Sequence, residues 1–413
     1  MLTVALERMA DDPVLLLEGP RSVGKSTLLR EIALARGARI LDLDDLATRD
    51  AVVADPGTMV AGDQPVCIDE YQKAPMVLDA IKAELNRGAT PGRFVLTGST
   101  RHDSLPPAAQ ALTGRLSRLP VLPLSQGEIG HAHEDLLTRL LGDPDSATGP
   151  WPDSPTPRHD YIQRVARGGF PLALAASSEA AHRRWVDHYL SLTVERDVYE
   201  LSRLRQGHLL GALLARLAGQ TAQVLNVEKA ARDVGLDKAT TDSYVSLLEK
   251  LFVVYRLPAW GRTLTSRSAA SPKLHVLDSG IAARLLRLTP GKLATPDASA
   301  LTELGHILES FTVGELVKQA SWNDEVAGIG HWRTRDGDEV DLVVERDDGA
   351  LVAFEVKAAS RVAGRDLTPM AKLRAATGPK FLAGIALYLG QRSYTYDDRL
   401  HVMPVDRIWT PST

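Results

Sequence analysis

Short apolar runs alternate with amphipathic helical segments over the first third of the chain. "VLLLEG" (14–19), "RILDLD" (39–44), "PVCIDE" (65–70) and "RFVLTGS" (93–99) read as buried strands, too continuously apolar for a sheet with one wet face. Between them, "KSTLLREIALARG" (25–37) and "APMVLDAIKAELNRG" (74–88) carry apolar residues at helical spacing. Strands that alternate with helices predict a parallel sheet covered on both faces.

The pattern then changes. "GDPDSATGPWPDSPTPRHD" (142–160) holds five prolines with Gly and Ser, and is expected to be a linker or exposed loop. Residues 161–255 are helical in pattern. Within them "NVEKAARDVGLDKATTDSYVSLLEKLFVVYRL" (226–257) divides at Gly235-Leu236 into two short helices, with Asn226 and Asp237 as their caps. The apolar run 252–255 would form a strand of a wing, so the segment resembles a winged helix-turn-helix. The rest of the chain returns to mixed α/β. The expected division is 1–141, 142–160 as linker, 161–262 as a helical and winged-helix middle, and 263–413.

Composition narrows the function classes. The chain has 413 residues, 44% hydrophobic and 24% charged, with a formal net charge of −4. This is the profile of a globular protein and argues against one that coats nucleic acid over its whole surface. Cys67 is the only cysteine, so no intramolecular disulfide can form and a reducing compartment is expected. No apolar stretch approaches the ~18 residues that would cross a bilayer. The N-terminal segment shows no signal-peptide pattern, which makes the cytoplasm the expected location and a membrane partner unexpected.

The most specific chemistry lies in "GPRSVGKST" (19–27). It fits G-x-x-x-x-G-K-[ST] and sits between a predicted strand and a predicted helix, as the motif requires. Gly19, Pro20, Arg21, Ser22, Val23, Gly24, Lys25, Ser26 and Thr27 are therefore the expected ATP-binding loop. Its N–H groups and the helix N-terminus face the phosphates, Lys25 reaches the β/γ-phosphates, and Ser26 ligates Mg²⁺. "VCIDE" ends a buried strand in Asp69-Glu70, which assigns Asp69 to the metal and Glu70 to the general base. An acid pair capping the next helix is the competing reading. In "VLTGST", Thr97 or Ser99 would sense the γ-phosphate, with Ser99 preferred. Arg115 is a candidate arginine finger, in cis or from a neighbouring copy of the chain, against a plain structural arginine.

These motifs, followed by "GR…LPLSQGE", "GGFP" (168–171), "ERDV" (195–198), "SPKLHVLDSGIAARLL" (271–286) and "DEVDLVV…FEVK", resemble prokaryotic AAA-type ATPases that carry a C-terminal domain of unknown function 4143. The likeness runs in order along essentially the whole chain. It implies an AAA-type P-loop core, a helical and winged-helix middle, and a restriction-endonuclease-like α/β C-terminal domain.

The C-terminal hairpin supports the last of these on its own geometry. If Asp347, Asp348 and Gly349 form a three-residue loop, residue 346 pairs with 350 and Asp341 lies opposite Glu355. Lys357 then shares Glu355's face. Two carboxylates and a lysine on one face resemble the PD-(D/E)xK nuclease site. In such a site Asp341 and Glu355 would bind a second Mg²⁺ or Mn²⁺ and Lys357 would orient water, with Glu309, or alternatively Glu315, as a third acid. The competing reading is a charged, exposed hairpin.

Partners are read from charge. From Arg256 to Lys292 there are seven basic residues and one acid, a local balance of +6. Arg262, Arg267 and Lys273 are thus the expected DNA-backbone contacts. The candidate recognition helix carries Asp237, Asp242 and Glu249 against Lys238 and Lys250, which points away from sequence-specific reading. The leading reading is a nucleic-acid-associated ATPase whose C-terminal domain binds or cuts DNA; the alternative is an ATP-gated switch for a protein partner, and a homo-oligomer fits either.

Overall fold

The computed structural model describes residues 1–88, 90–99, 112, 114–193, 207–261 and 271–411. The chain divides into two compact units, Met1–Pro123 with Lys250–Phe252, and Leu124–Glu249 with Val253–Thr413.

The first unit is a five-stranded parallel sheet in the order β2-β3-β4-β1-β5, formed by β1 (Val14–Glu18), β2 (Arg39–Asp42), β3 (Val66–Asp69), β4 (Phe94–Gly98) and β5 (Leu116–Pro120). All five residues of β1 and of β4 are buried, which is why these strands read as unbroken apolar runs. Burying one such Val, Leu or Phe side chain contributes roughly 1.5–3 kcal/mol. Helices Lys25–Arg36 and Val77–Arg87 follow β1 and β3. Because the strands are parallel, their C-terminal ends share one edge, and the loops after β1, β3 and β4 meet there.

The second unit holds a helical region, a small sheet and a large sheet. Helix Leu210–Ala218, β6 (Gln223–Val224), helices Val227–Val234 and Lys238–Lys250, β7 (Val254–Leu257) and β8 (Lys273–Val276) follow in that order, and the strands pair antiparallel as β6-β8-β7. Asn226 accepts from Lys229 N at 2.8 Å, Asp237 from Thr240 N at 2.8 Å, and Gly235 closes the first helix at φ 75°. These are the caps and the break expected from the sequence. β8 belongs to this small sheet, so the expected boundary at 262/263 falls inside it.

The large sheet has six strands in the order β13-β14-β12-β11-β10-β9. They are β9 (Val326–Arg333), β10 (Glu339–Arg346), β11 (Leu351–Lys357), β12 (Phe381–Tyr388), β13 (Tyr394–Asp397) and β14 (Leu400–Pro404). Helices Ala298–Ser321 and Gly364–Thr377 pack against it. A core of Val340, Val343, Ala353, Leu367, Met370, Phe381 and Val402 lies beneath.

The stretch 142–160 is tied down rather than free. Ser154 N donates to Gln391 O at 2.7 Å, the Ser154 hydroxyl bonds Asp406, and the Arg407 guanidinium lies 4.9 Å from the Trp151 ring centre. Pro144 opens a one-turn helix to Ala147, and the irregular, proline-rich stretch after it is packed all the same. Among the described residues, no helix is long and apolar enough to cross a membrane.

Candidate functional site

The phosphate loop leaves β1 at Glu18 and enters helix Lys25–Arg36 with Gly24 at its N-cap, φ 101°. That backbone conformation favours glycine. Gly19 has a different reason: a Cβ there would lie 2.0 Å from Val121 O. Lys25 is buried, and its Nζ donates to the loop carbonyls of Gly19 (2.9 Å) and Pro20 (2.7 Å). Burial pushes its pKa down to about 8, against partial support from Glu70 and Asp69.

Registration across the sheet assembles the rest. β4 lies between β1 and β3, pairing Leu17 with Thr97 and, on its other side, Ile68 with Leu96. The Thr97 hydroxyl therefore reaches Asp69 and donates to its Oδ1, while Thr97 Oγ1 accepts from Glu70 N at 2.9 Å. Thr97 is fully buried and holds the acid pair from below, and Ser99, also buried, lies just past the C-terminal end of the strand. Ser99 Oγ donates to Glu70 Oε2 at 3.3 Å and accepts from Gln72 Nε2 at 3.1 Å. Gln72 also donates to Glu70 Oε2. Glu70 itself takes a left-handed backbone conformation, φ 55°, before a short turn of 3₁₀ helix. Gln72 was not singled out from the sequence, although it lies two residues beyond the quoted "PVCIDE". Its Oε1 is buried with no hydrogen-bond partner among the described residues, an acceptor beside the candidate base.

Ser26 and Asp69 offer hard oxygen donors, the kind Mg²⁺ takes. Arg115 is placed elsewhere. It precedes β5, whose first residue Leu116 pairs with Val14 at the start of β1, and it donates to Asn86 at 2.8 Å near the end of helix Val77–Arg87. The phosphate loop is at the other end of β1, five residues on, or roughly 16 Å at ~3.3 Å per residue. A finger acting in cis is corrected by this topology.

A second cluster lies in the other unit. Gly349 N donates to Arg346 O and Arg346 N to Ala350 O, both at 2.8 Å, closing the three-residue loop with Gly349 at φ 79°. β10 and β11 pair Leu342 with Phe354 and Glu345 with Leu351, which is the expected register. Asp341 Oδ2 accepts from Val356 N at 2.9 Å, and Lys357 Nζ lies 2.7 Å from Glu355 Oε1. Glu309 joins them from helix Ala298–Ser321, and all four line a cavity of about 510 Å³. Glu315, the alternative third acid, is absorbed elsewhere by Gln126 N (2.7 Å) and Lys318 (2.6 Å).

Lys273 is the surprise in this cluster. It is 1% exposed, and its Nζ lies 2.7 Å from Glu309, 2.5 Å from Glu339 and 2.9 Å from Asp341. Burial works against its charge, but the Asp341, Glu309 and Glu339 carboxylates outweigh it and raise the pKa well above that of a free lysine. Burial pushes Asp341 up, yet Lys273 and the Val356 N–H outweigh it and hold it low. Glu309 is raised by burial and by Asp341, and Glu355 is raised to about 8 by the same two causes.

Lys273 is therefore no contact for a DNA backbone, which corrects that expectation. Other charges of the basic stretch are also engaged: Arg256 with Glu249 and Asp242, Arg284 with Asp187 at 2.6 Å, and Lys292 with Glu303 at 3.2 Å. Arg262 and Arg267 lie outside the described residues, as does "ERDV" (195–198).

Family models match three consecutive parts of the chain. They are an AAA domain over residues 11–130, a domain of unknown function 8612 over 158–292, and a domain of unknown function 4143 over 304–408. The chain thus joins an N-terminal AAA domain, with a P-loop ATPase-like parallel sheet, to a C-terminal domain 4143. Uncharacterised proteins of Mycobacterium tuberculosis and Mycobacterium bovis are each 27% identical over 407 residues, which is 96% of this chain and 81% of theirs. Among solved structures, a Walker-type ATPase of Pyrococcus abyssi is 15% identical with a TM-score of 0.45, covering 69% of this chain and 94% of that one. AMPPCP-bound DnaA of Aquifex aeolicus is 13% identical with a TM-score of 0.27, covering 60% and 85%.

Proposed function

We propose that the protein binds ATP at residues 19–27 and hydrolyses it, and that this turnover switches the binding state of the second unit. The observation that carries the reading is the convergence of Lys25, Ser26, Asp69, Glu70, Gln72 and Ser99 at one edge of the parallel sheet. The loop N–H groups and Lys25 hold the phosphates, and Lys25 exchanges its loop carbonyls for phosphate oxygens. Ser26 and Asp69 would hold Mg²⁺, which offsets charge on the β- and γ-phosphates when bound. Glu70 takes the proton of the attacking water, with Gln72 and Ser99 fixing its carboxylate. A catalytic role for Arg115 requires a second copy of the chain.

Two outcomes follow. Phosphates restore the charge that burial opposes on Lys25, so ATP binding at about pH 8–9 takes up protons, and affinity falls as pH rises through that window. Titration calorimetry in buffers of different ionisation enthalpy reads the uptake directly. Gln72→Ala leaves ATP affinity near wild type and lowers kcat by roughly 10-fold, because a loosened base remains in place. An equal loss in affinity would move Gln72 from positioning to binding.

For the second unit we favour a binding module for a protein partner. The support is the pairing of Arg256, Lys273, Arg284 and Lys292 with acids, which removes much of the charge a phosphate backbone needs. DNA association is the second reading. Its support is the helix–strand–helix–helix–strand–strand order of a winged helix. ATPase activity measured with and without single- and double-stranded DNA, at low and high salt, separates the two. DNA stimulation that weakens with salt would replace the protein switch.

A further inference from the structure

The nuclease-like fold that the C-terminal domain resembles centres on a divalent ion held by carboxylates. The groups gathered here do not fit one. An ammonium has three N–H donors, and those of Lys273 face Glu309, Glu339 and Asp341 at 2.7, 2.5 and 2.9 Å. The remaining Asp341 oxygen is taken by Val356 N, and Glu355 Oε1 by Lys357. Among the described residues, no three His, Cys, Asp or Glu side chains are grouped so as to hold a metal ion. Glu355 Oε2 is left buried without a hydrogen-bond partner among the described residues, while Glu309, Glu339 and Asp341 already share one ammonium.

We propose that Lys273 is the resident cation of this site and takes the place of the metal. The acids come from helix Ala298–Ser321 and β10, and the lysine from β8 of the small sheet, 36 residues from Glu309 and 68 from Asp341. A divalent ion taking Glu309 Oε1 and Asp341 Oδ1 would displace an ammonium that is 1% exposed. That leaves three N–H donors to be rehoused. The cluster therefore fastens the small sheet to the large one, and the C-terminal domain keeps a nuclease-like shape without metal-dependent cleavage. The inference does not rest on ATP hydrolysis, because its test omits nucleotide.

The test is Mn²⁺ binding to the full chain, followed by electron paramagnetic resonance, in a Lys25→Ala background that disables the phosphate loop. That protein takes up no Mn²⁺ at the carboxylate cluster and does not cut plasmid or oligonucleotide DNA in Mg²⁺ or Mn²⁺. Adding Lys273→Met, which keeps the stem and removes the charge, creates a site for one Mn²⁺ per chain. Tm then rises by roughly 3–5 °C at about 100 times the Kd. Asp341→Asn abolishes the new site. Stoichiometric Mn²⁺ uptake before Lys273 is changed, removed by Asp341→Asn, overturns the proposal. So does a folded Lys273→Met protein that gains no Mn²⁺. If Lys273→Met folds only with Mn²⁺ the proposal stands, and if it does not fold at all the Lys25→Ala protein decides alone.

Discussion

Purified Glu70→Gln protein binds ATP with near wild-type affinity and turns it over roughly 10²–10⁴-fold more slowly. The amide keeps the side chain's shape and can still bond Ser99 Oγ and Gln72, but it cannot take a proton from water. Lys25→Ala behaves differently. Its ammonium contributes to holding the phosphates in the ground state as well as in the transition state, so both affinity and turnover are lost. The check is nucleotide binding by fluorescence or calorimetry beside phosphate release for the two variants. A Glu70→Gln protein that hydrolyses ATP at the wild-type rate would reassign the base, with Asp69 the nearest other acid. Equal behaviour of the two variants would mean that Glu70 shapes the site rather than reacting in it.

The contrast between the two sites shows what was legible in the sequence. The phosphate loop is local: its glycines, lysine and serine are consecutive, and the flanking strand and helix follow from apolar spacing. Asp69, Glu70 and Ser99 were found because each ends a buried strand, and parallel pairing carries strand ends to one edge. The hairpin register was equally readable, since "RDDG" fixes the loop and the loop fixes every pair behind it. Gln72 escaped because nothing in its neighbourhood distinguishes a positioning amide from a surface one. The cis alternative for Arg115 was left open because a basic residue after "TG" says nothing about which end of a strand it occupies. That depends on the direction of β5. Lys273 escaped for a third reason. Its partners are 36 to 68 residues away, and summing charge along the chain counts a buried, paired lysine as surface charge. One signal was present: "KLHV" is a lysine opening an otherwise buried strand, a position where an ammonium needs an acid.

Lys273→Ala destabilises the protein by about 3–5 kcal/mol when no divalent ion is present, the scale for removing one partner of a buried ionic group. The loss has two parts: Glu309, Glu339 and Asp341 forfeit their shared donor, and their charges then repel one another around an empty stem. Lys357 is held by Glu355, and His275 is kept neutral chiefly by its burial, which remains when Lys273 is removed. Neither supplies a ready cation. Repulsion raises the pKa of Glu309 and Asp341 in the folded variant above their unfolded values. Their protonation then favours the fold, so the deficit is smallest at low pH and grows as pH rises through the folded values. Adding Glu309→Gln and Asp341→Asn to Lys273→Ala recovers much of the loss, because neutral amides of similar shape neither repel nor require an ammonium. Urea unfolding at two pH values measures all of this. A Lys273→Ala protein as stable as wild type at neutral pH would show that the three carboxylates do not need the lysine, and the ammonium would then be a passenger in the cluster.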